Sequence, residues 1–298
     1  MKVGFIGLGK MGSQMVLRLL KDGHQVVVRD VDETAVTSMV SHGAVRSSDR
    51  RDLVRQLSPV IVWLMIPADF VDPEIDALLP LLPSGSIVID GGNSDYRQTL
   101  ARAKRCQQHQ VQLVDVGTSG GLLGLQQGFS MTIGGAPEAV QAVEPIIKSL
   151  AQPGGYQHFG PTGAGHYIKM VHNAIEYGAM EAYAEGYRLL QEGPFANLDL
   201  AGIGQTWQHG SIIESRLGAM MAQALHDNPD LGGIDGYVAD SGEATWALQV
   251  AKQQTIDMPV VEAAVRVRHD SQQGHVNFAT KLLAITRHAF GGHAVNKK

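Results

Sequence analysis

The chain has 298 residues, 44% apolar and 18% charged, with a net charge of −5. That describes a globular chain long enough for one large or two ordinary domains, and it excludes a strongly basic nucleic-acid surface. A lone cysteine, Cys106, excludes an internal disulfide framework and fits a reducing compartment. No apolar run approaches the roughly 20 residues of a membrane span, and a first strand starting at Lys2 leaves no room for a leader. The expected location is cytoplasmic, with no membrane or nucleic-acid partner.

Residues 2–8 read as an apolar strand that runs into Gly7-Leu8-Gly9-Lys10-Met11-Gly12. Residues 13–21 follow as an amphipathic helix and 25–30 as a second strand. A strand, a G-x-G-x-x-G turn and a helix in that order form the setting in which the glycines bind a dinucleotide. Gly7 and Gly9 let the backbone approach a pyrophosphate, Gly12 lets helix and strand pack closely, and the helix N-terminus faces the phosphates. Asp30 ends the second strand, 18 residues after Gly12 (30 − 12), where its carboxylate can accept from ribose hydroxyls. With Asp32 and Glu33 close by it would repel a 2′-phosphate, while strand alternation points Arg29 to the other side. The expected cofactor is NAD, with NADP disfavoured.

Apolar runs at 59–66, carrying Met65 as a further cofactor contact, and at 86–90 have the look of strands covered on both faces. Helical stretches near 69–80 and 94–107, strands at 111–116, 129–134 and 156–159, and a helix at 137–149 continue the alternation. Two strands end in polar glycine loops, Asp90-Gly-Gly-Asn-Ser94 and Gly117-Thr-Ser-Gly-Gly121, at the position where open α/β sheets bind ligands. The fold class is therefore an α/β Rossmann-type domain over 1–162, followed by an all-helical substrate and oligomerisation domain over 163–298.

The first helix of that second part carries Lys169, His172, Asn173, Glu176 and Tyr177 at i, i+3, i+4, i+7 and i+8, on one face. An amine, an imidazole, an amide, a carboxylic acid and a phenol on an otherwise apolar helix are the parts of an acid–base site. A lysine desolvated there can act as a base, and a carboxylic acid two turns on can return a proton. None of the twelve histidines has tight ligand spacing, so no metal is expected.

Gly91-Gly92-Asn93-Ser94, Ser119-Gly120-Gly121 and Lys169-Met-Val-His172-Asn173-Ala-Ile-Glu176-Tyr177 together resemble decarboxylating 6-phosphogluconate dehydrogenase, in its short form, from residue 1 to about His293. Singly, these motifs are similar to the wider β-hydroxyacid dehydrogenase superfamily. The resemblance implies Lys169 as general base and Glu176 as general acid, with Asn93, Ser119, Gly120, Gly121, His172 and Asn173 around the sugar acid. It implies Tyr177, Arg268 and Arg287 on the phosphate and His293 on the substrate. Asn93 is also expected to meet the cofactor. Arg287 and His293 would come from a neighbouring subunit, making the protein a homodimer or homotetramer. Arg266 competes with Arg268 for its place in the pattern. One departure is Thr245-Trp246-Ala247, where the family carries a cation before the tryptophan and a threonine after it.

The leading expectation is oxidative decarboxylation of 6-phosphogluconate to ribulose 5-phosphate and CO₂ with reduction of NAD. The alternatives are an NAD-dependent dehydrogenase of another β-hydroxyacid, such as unphosphorylated gluconate, and a non-catalytic nucleotide-binding regulator, against which the Lys169/Glu176 pair argues.

Overall fold

The computed structural model describes residues 1–291. The chain divides into two compact units, Met1–Lys169 and Met170–Lys298. The first is built on eight strands: β1 (Lys2–Ile6), β2 (Gln25–Arg29), β3 (Val45–Arg46), β4 (Ile61–Leu64), β5 (Ile87–Asp90), β6 (Gln112–Ser119), β7 (Phe129–Gly134) and β8 (Ala151–Gly160). Between them run α1 (Lys10–Lys21), α2 (Glu33–Ser41), α3 (Arg50–Arg55), α4 (Ala68–Leu78), α5 (Tyr96–Gln108), α6 (Gly124–Gln127) and α7 (Pro137–Leu150).

The strands form one sheet in the order β3-β2-β1-β4-β5-β6-β7-β8. Pairing is parallel throughout except between β6 and β7. Period-two alternation splits the apolar side chains into two cores, one on each face. In β4, Ile61 and Trp63 join Met15 and Leu19 of α1 and Val143 of α7. Val62 and Leu64 join Leu53 of α3 and Val71 and Ile75 of α4. Because β2 and β4 flank β1 on opposite sides, the strand order reverses at the carboxyl end of β1, where the Gly7–Gly12 loop lies.

Residues 33–55 hold two helices and a two-residue strand that hydrophobic pattern alone does not reveal, since each is too short for a clear period. Their starts are nonetheless written in the sequence as caps: Asp32 accepts from the Thr34 N–H and Asp49 from the Asp52 N–H. Elsewhere the elements differ from the expected bounds mainly at their ends. α1 begins at Lys10 rather than 13, and β8 runs from Ala151 rather than 156.

One buried ionic network shapes the sheet's carboxyl edge. Arg102 of α5 is fully buried and donates to Asp90 Oδ2 at 3.1 Å, Ser94 Oγ at 2.8 Å and Asp72 Oδ2 at 2.8 Å. Ser94 Oγ in turn donates to Asp90 Oδ2 at 3.0 Å, so the 90–94 loop is tied at both ends around Asn93.

The second unit contains most of α8 (Ala164–Glu192), then α9 (Leu200–Trp207), α10 (Arg216–Asp227), α11 (Glu243–Gln253), α12 (Pro259–Gln272) and α13 (Phe278–Gly291). Met180, Ala184 and Tyr187 of α8 pack on Leu200, Met221, Leu225, Leu282 and Leu283 to form its core. Among the described residues, no helix is long and apolar enough to cross a membrane.

Removing Arg102 leaves Asp90 buried without its cation. Arg102→Met is therefore expected to cost about 3 kcal/mol or more of stability in urea denaturation, and a loss under about 1 kcal/mol would contradict the network's role.

Candidate active site

The glycine loop has the shape a dinucleotide requires. A Cβ on Gly12 would lie 2.0 Å from the Gly7 carbonyl oxygen, and one on Gly7, at φ +100°, would lie 2.2 Å from that of Met65. A Cβ on Gly9 would meet nothing within 4 Å, so the space in front of it is open to a ligand. Helix α1 starts at Gly9 with no side-chain cap and no acidic residue in its first turn, leaving its positive end for an anion. Leu8 is buried, Lys10 exposed and Met11 half-buried.

Asp30, expected to face a ribose, is already bonded to the backbone around it. One of its carboxylate oxygens accepts from the Leu8 N–H and the other accepts from Asp32 N at 2.8 Å, so it braces the glycine loop. A carboxylate has about four acceptor positions, so room for two hydroxyl donors is left. The neighbouring acids are partly neutralised. Asp32 caps α2, and Glu33 forms an ion pair with Arg46. Asp30 and Asp32 thus carry most of the negative charge expected to oppose a 2′-phosphate.

In the same unit, Asn93 is exposed on the loop that Arg102 ties down. Ser119 ends β6, and Gly120 and Gly121 follow at φ +137° and +53°, backbone conformations that side chains rarely adopt. Lys169 is half-buried in the second turn of α8. Strands β5 and β6 are neighbours, but their last pair is Asp90↔Asp115 and β6 runs on to Ser119 along β7, so Gly117–Ser119, expected in a loop, lie within the strand.

In the second unit the helical stripe continues along α8. His172 is exposed, with Nδ1 3.1 Å from Asn173 Oδ1 and 3.9 Å from Glu176 Oε2. Tyr177 is buried, and its hydroxyl donates to Asp240 Oδ1 at 3.0 Å while accepting from Ser241 N at 3.3 Å. The Tyr177 hydroxyl expected to reach a phosphate is thus already engaged with this loop, which His269, Thr245 and Arg287 also hold.

The guanidinium of Arg268 lies over the Tyr177 ring, 3.1 Å from its centre. Arg268 is 1% exposed, and among the described residues its Nε and Nη1 have no hydrogen-bond partner. Burial lowers its pKa to about 10, partly offset by Tyr177 and reinforced by the nearby positive charge of Arg287. Arg268 is therefore the buried arginine of the competing pair, since Arg266 is exposed. Arg287 is buried within its own unit, donating to the Ala239 carbonyl, whereas the resemblance drew it from a neighbouring subunit. Burial would raise the Asp240 carboxyl, but the Gly242 N–H, Tyr177 and His269 outweigh it and hold the group below its ordinary range. Thr245 Oγ1 donates to Asp240 at 3.4 Å and Ala247 is buried, so neither adds a cation to the cluster. His293 lies outside the described residues. No group of three or more His, Cys, Asp or Glu suited to a metal occurs among the described residues.

A group the sequence did not single out is Glu181, one helical turn beyond Tyr177. It is 5% exposed, its Oε2 lacks a partner among the described residues, and burial with help from Glu185 raises its pKa from 4.5 to about 7 against the pull of Arg268. The folded chain then holds a proton that the unfolded chain loses above pH 4.5, so this group's contribution falls as pH rises to about 7 and stays unfavourable above it. Glu181→Gln should leave stability at pH 4.5 nearly unchanged and raise it at pH 8 by on the order of 1–3 kcal/mol in denaturant titrations. Equal effects at both pH values would contradict this.

Residues 2–163 match the profile of the NAD binding domain of 6-phosphogluconate dehydrogenase, and residues 165–297 match that of the 6-phosphogluconate dehydrogenase C-terminal domain. A Haloferax volcanii protein described as NAD(+)-dependent, decarboxylating 6-phosphogluconate dehydrogenase is 38% identical over 100% of this chain and 99% of its own length. A Bacillus subtilis protein of the same description is 32% identical over 90% of this chain but only 60% of its own length. Among solved structures, Plasmodium falciparum 6-phosphogluconate dehydrogenase, studied with NADP+ and 6-phosphogluconate, matches with a TM-score of 0.79 at 28% identity, over 91% of this chain and 62% of that one. Mycobacterium tuberculosis 3-hydroxyisobutyrate dehydrogenase matches in fold, with a TM-score of 0.75 at 18% identity over 94% of this chain and 97% of that one. The chain belongs to the 6-phosphogluconate dehydrogenase family.

Proposed function

We propose that the chain catalyses oxidative decarboxylation of 6-phosphogluconate with NAD. The observation that carries this reading is Arg268. A buried guanidinium with two unpaired nitrogens costs several kcal/mol unless an anion arrives to meet it. Asp240, Glu176 and Glu181 all act on Arg268, so the pull toward a phosphate comes from the two open Arg268 nitrogens, with Arg287 close by, rather than from Thr245 or Ala247.

On this reading Gly7, Leu8, Gly9, Lys10, Met11, Gly12, Asp30, Met65 and Asn93 hold the cofactor, which when bound accepts a hydride. Lys169 takes the proton of the substrate hydroxyl as that hydride leaves. The ammonium so formed then polarises the new keto oxygen while the carboxylate β to that ketone departs as CO₂, its bond pair passing into the enediol. Glu176, seven residues on and about 10 Å along the same helix, protonates the enediol carbon that lost CO₂, next to the carbon Lys169 serves, so the two side chains would have to converge on neighbouring atoms. Asn93, Ser119, Gly120, Gly121, His172 and Asn173 orient the carboxylate and hydroxyls. The alternative substrate, unphosphorylated gluconate, draws support from Asp240, a held negative charge next to Tyr177.

We further propose that the protein is a homo-oligomer. On α8, Ile175 and Leu189 are 64% and 72% exposed and stand seven residues either side of exposed Ala182, an apolar stripe at heptad spacing. Carboxylates at both ends, Ile175→Glu with Leu189→Glu, should dissociate the assembly in light scattering after gel filtration, and an unchanged mass would remove this face from the interface.

The assignment is tested by following reduced nicotinamide and CO₂ together, with 6-phosphogluconate or gluconate and NAD or NADP. Stoichiometric release of both products from 6-phosphogluconate, with higher kcat/KM for NAD, is expected. Arg268→Met should raise KM for 6-phosphogluconate by about tenfold or more and leave any gluconate activity unchanged, because a charge-assisted contact is worth about 1.5–3 kcal/mol. Equal efficiency with gluconate and no response to Arg268→Met would move the assignment to the unphosphorylated acid. Comparable efficiency with NAD and NADP would overturn the cofactor preference.

A further inference from the structure

We infer that Asp115 is a positioning residue for the base, supplying from a strand the cap that α8 lacks at its own start. The inference rests on the assignment of Lys169 above. Asp115 stands on β6 with no exposure. Its Oδ1 accepts from Gly163 N at 2.6 Å and its Oδ2 from His166 N at 2.8 Å. Gly163 precedes the first residue of α8 and His166 is the third within it. These are the two N–H groups that a capping box satisfies from inside a helix, and here one distant carboxylate takes both. The local candidate for the task, Thr162, instead donates its hydroxyl to the Leu113 carbonyl at 3.0 Å.

The contact is reinforced by close backbone approach. Thr132 Oγ1 on β7 donates to the Gly165 carbonyl at 2.9 Å. A Cβ at Gly165 would fall 2.6 Å from the carbonyl oxygens of both Asp115 and Thr132, and one at Gly117 would fall 2.3 Å from Lys169 Cβ. The first turn of α8 is therefore clamped on the backbones of β6 and β7. Lys169 follows His166 by one turn, and Ser119, at the substrate loop, ends the strand that carries Asp115. One strand thus sets the place of the base and of the loop that would hold its substrate.

Asp115→Asn tests this with little change of volume. The amide oxygen can keep one N–H, but its NH₂ group turns hydrogens toward the other. The expected result is a kcat lower by roughly 10- to 100-fold, as for a small misplacement of a reacting group, with NAD affinity within about twofold of wild type. A larger primary deuterium isotope effect on kcat should accompany the loss, since hydride transfer becomes slower than release. Hydrogen exchange of the amides in residues 160–169 should quicken in the enzyme without ligands. Thr132→Val should act in the same direction and more weakly, with Thr132→Ser restoring wild-type rates.

Unchanged exchange overturns the clamp whatever the substrate proves to be. Faster exchange with unchanged kcat overturns the positioning role and leaves a structural cap. A fall in kcat matched by an equal fall in NAD affinity also overturns it, because the loss is then of folded enzyme. Should wild type not turn over 6-phosphogluconate, the functional assignment fails, and the exchange measurement still decides whether Asp115 holds the helix.

Discussion

A single run of helical hydrogen bonds, α8 from Ala164 to Glu192, sets the spacing of every acid–base group assigned here. Helical geometry fixes Lys169, His172, Asn173, Glu176 and Tyr177 on one face without help from any loop. What the helix cannot fix by itself is where that face begins. That depends on its first turn, which lies on β6 and β7 through glycines at 117, 134 and 165 that leave no room for a side chain. A family motif that looks like a helix signature is therefore also a constraint on a sheet.

Function is written in this chain as local incompleteness. Gly9 opens onto empty space, α1 starts with no side-chain cap and no acidic residue in its first turn, and Arg268 is buried with two nitrogens unpaired among the described residues. Each of these is unfavourable for the chain alone, and each becomes favourable with an anion in place. The network under the 90–94 loop shows the opposite pattern. Asp90, Ser94 and Arg102 are deeply buried and bonded to one another.

Much of the fold was legible in the sequence because its strands are covered on both faces and its glycine loop sits between a strand and a helix. The stretch from Glu33 to Arg55 was not, because its elements are too short for periodicity and are announced only by Asp32 and Asp49 as caps. Site residues were readable where spacing along one helix brings them together. Asp115 and Arg102 were not, since each acts across the fold, on N–H groups 48 and 51 residues away and on a carboxylate 12 residues away. Glu181 read as one more helical carboxylate, and only its burial shows a charge displaced toward neutral pH. The departure around Trp246 is legible in the sequence, whereas the closeness of Arg268 and Arg287, from two other helices, is not.

Lys169 is proposed as the base for oxidation and, once protonated, as the cation for decarboxylation. Turnover of Lys169→Ala with 6-phosphogluconate and NAD, measured beside NAD affinity by nicotinamide fluorescence, tests it most directly. The account predicts a loss near the upper end of the roughly 10²–10⁴-fold typical of a general base, with NAD affinity nearly unchanged. Retention of more than about a tenth of wild-type activity would contradict it.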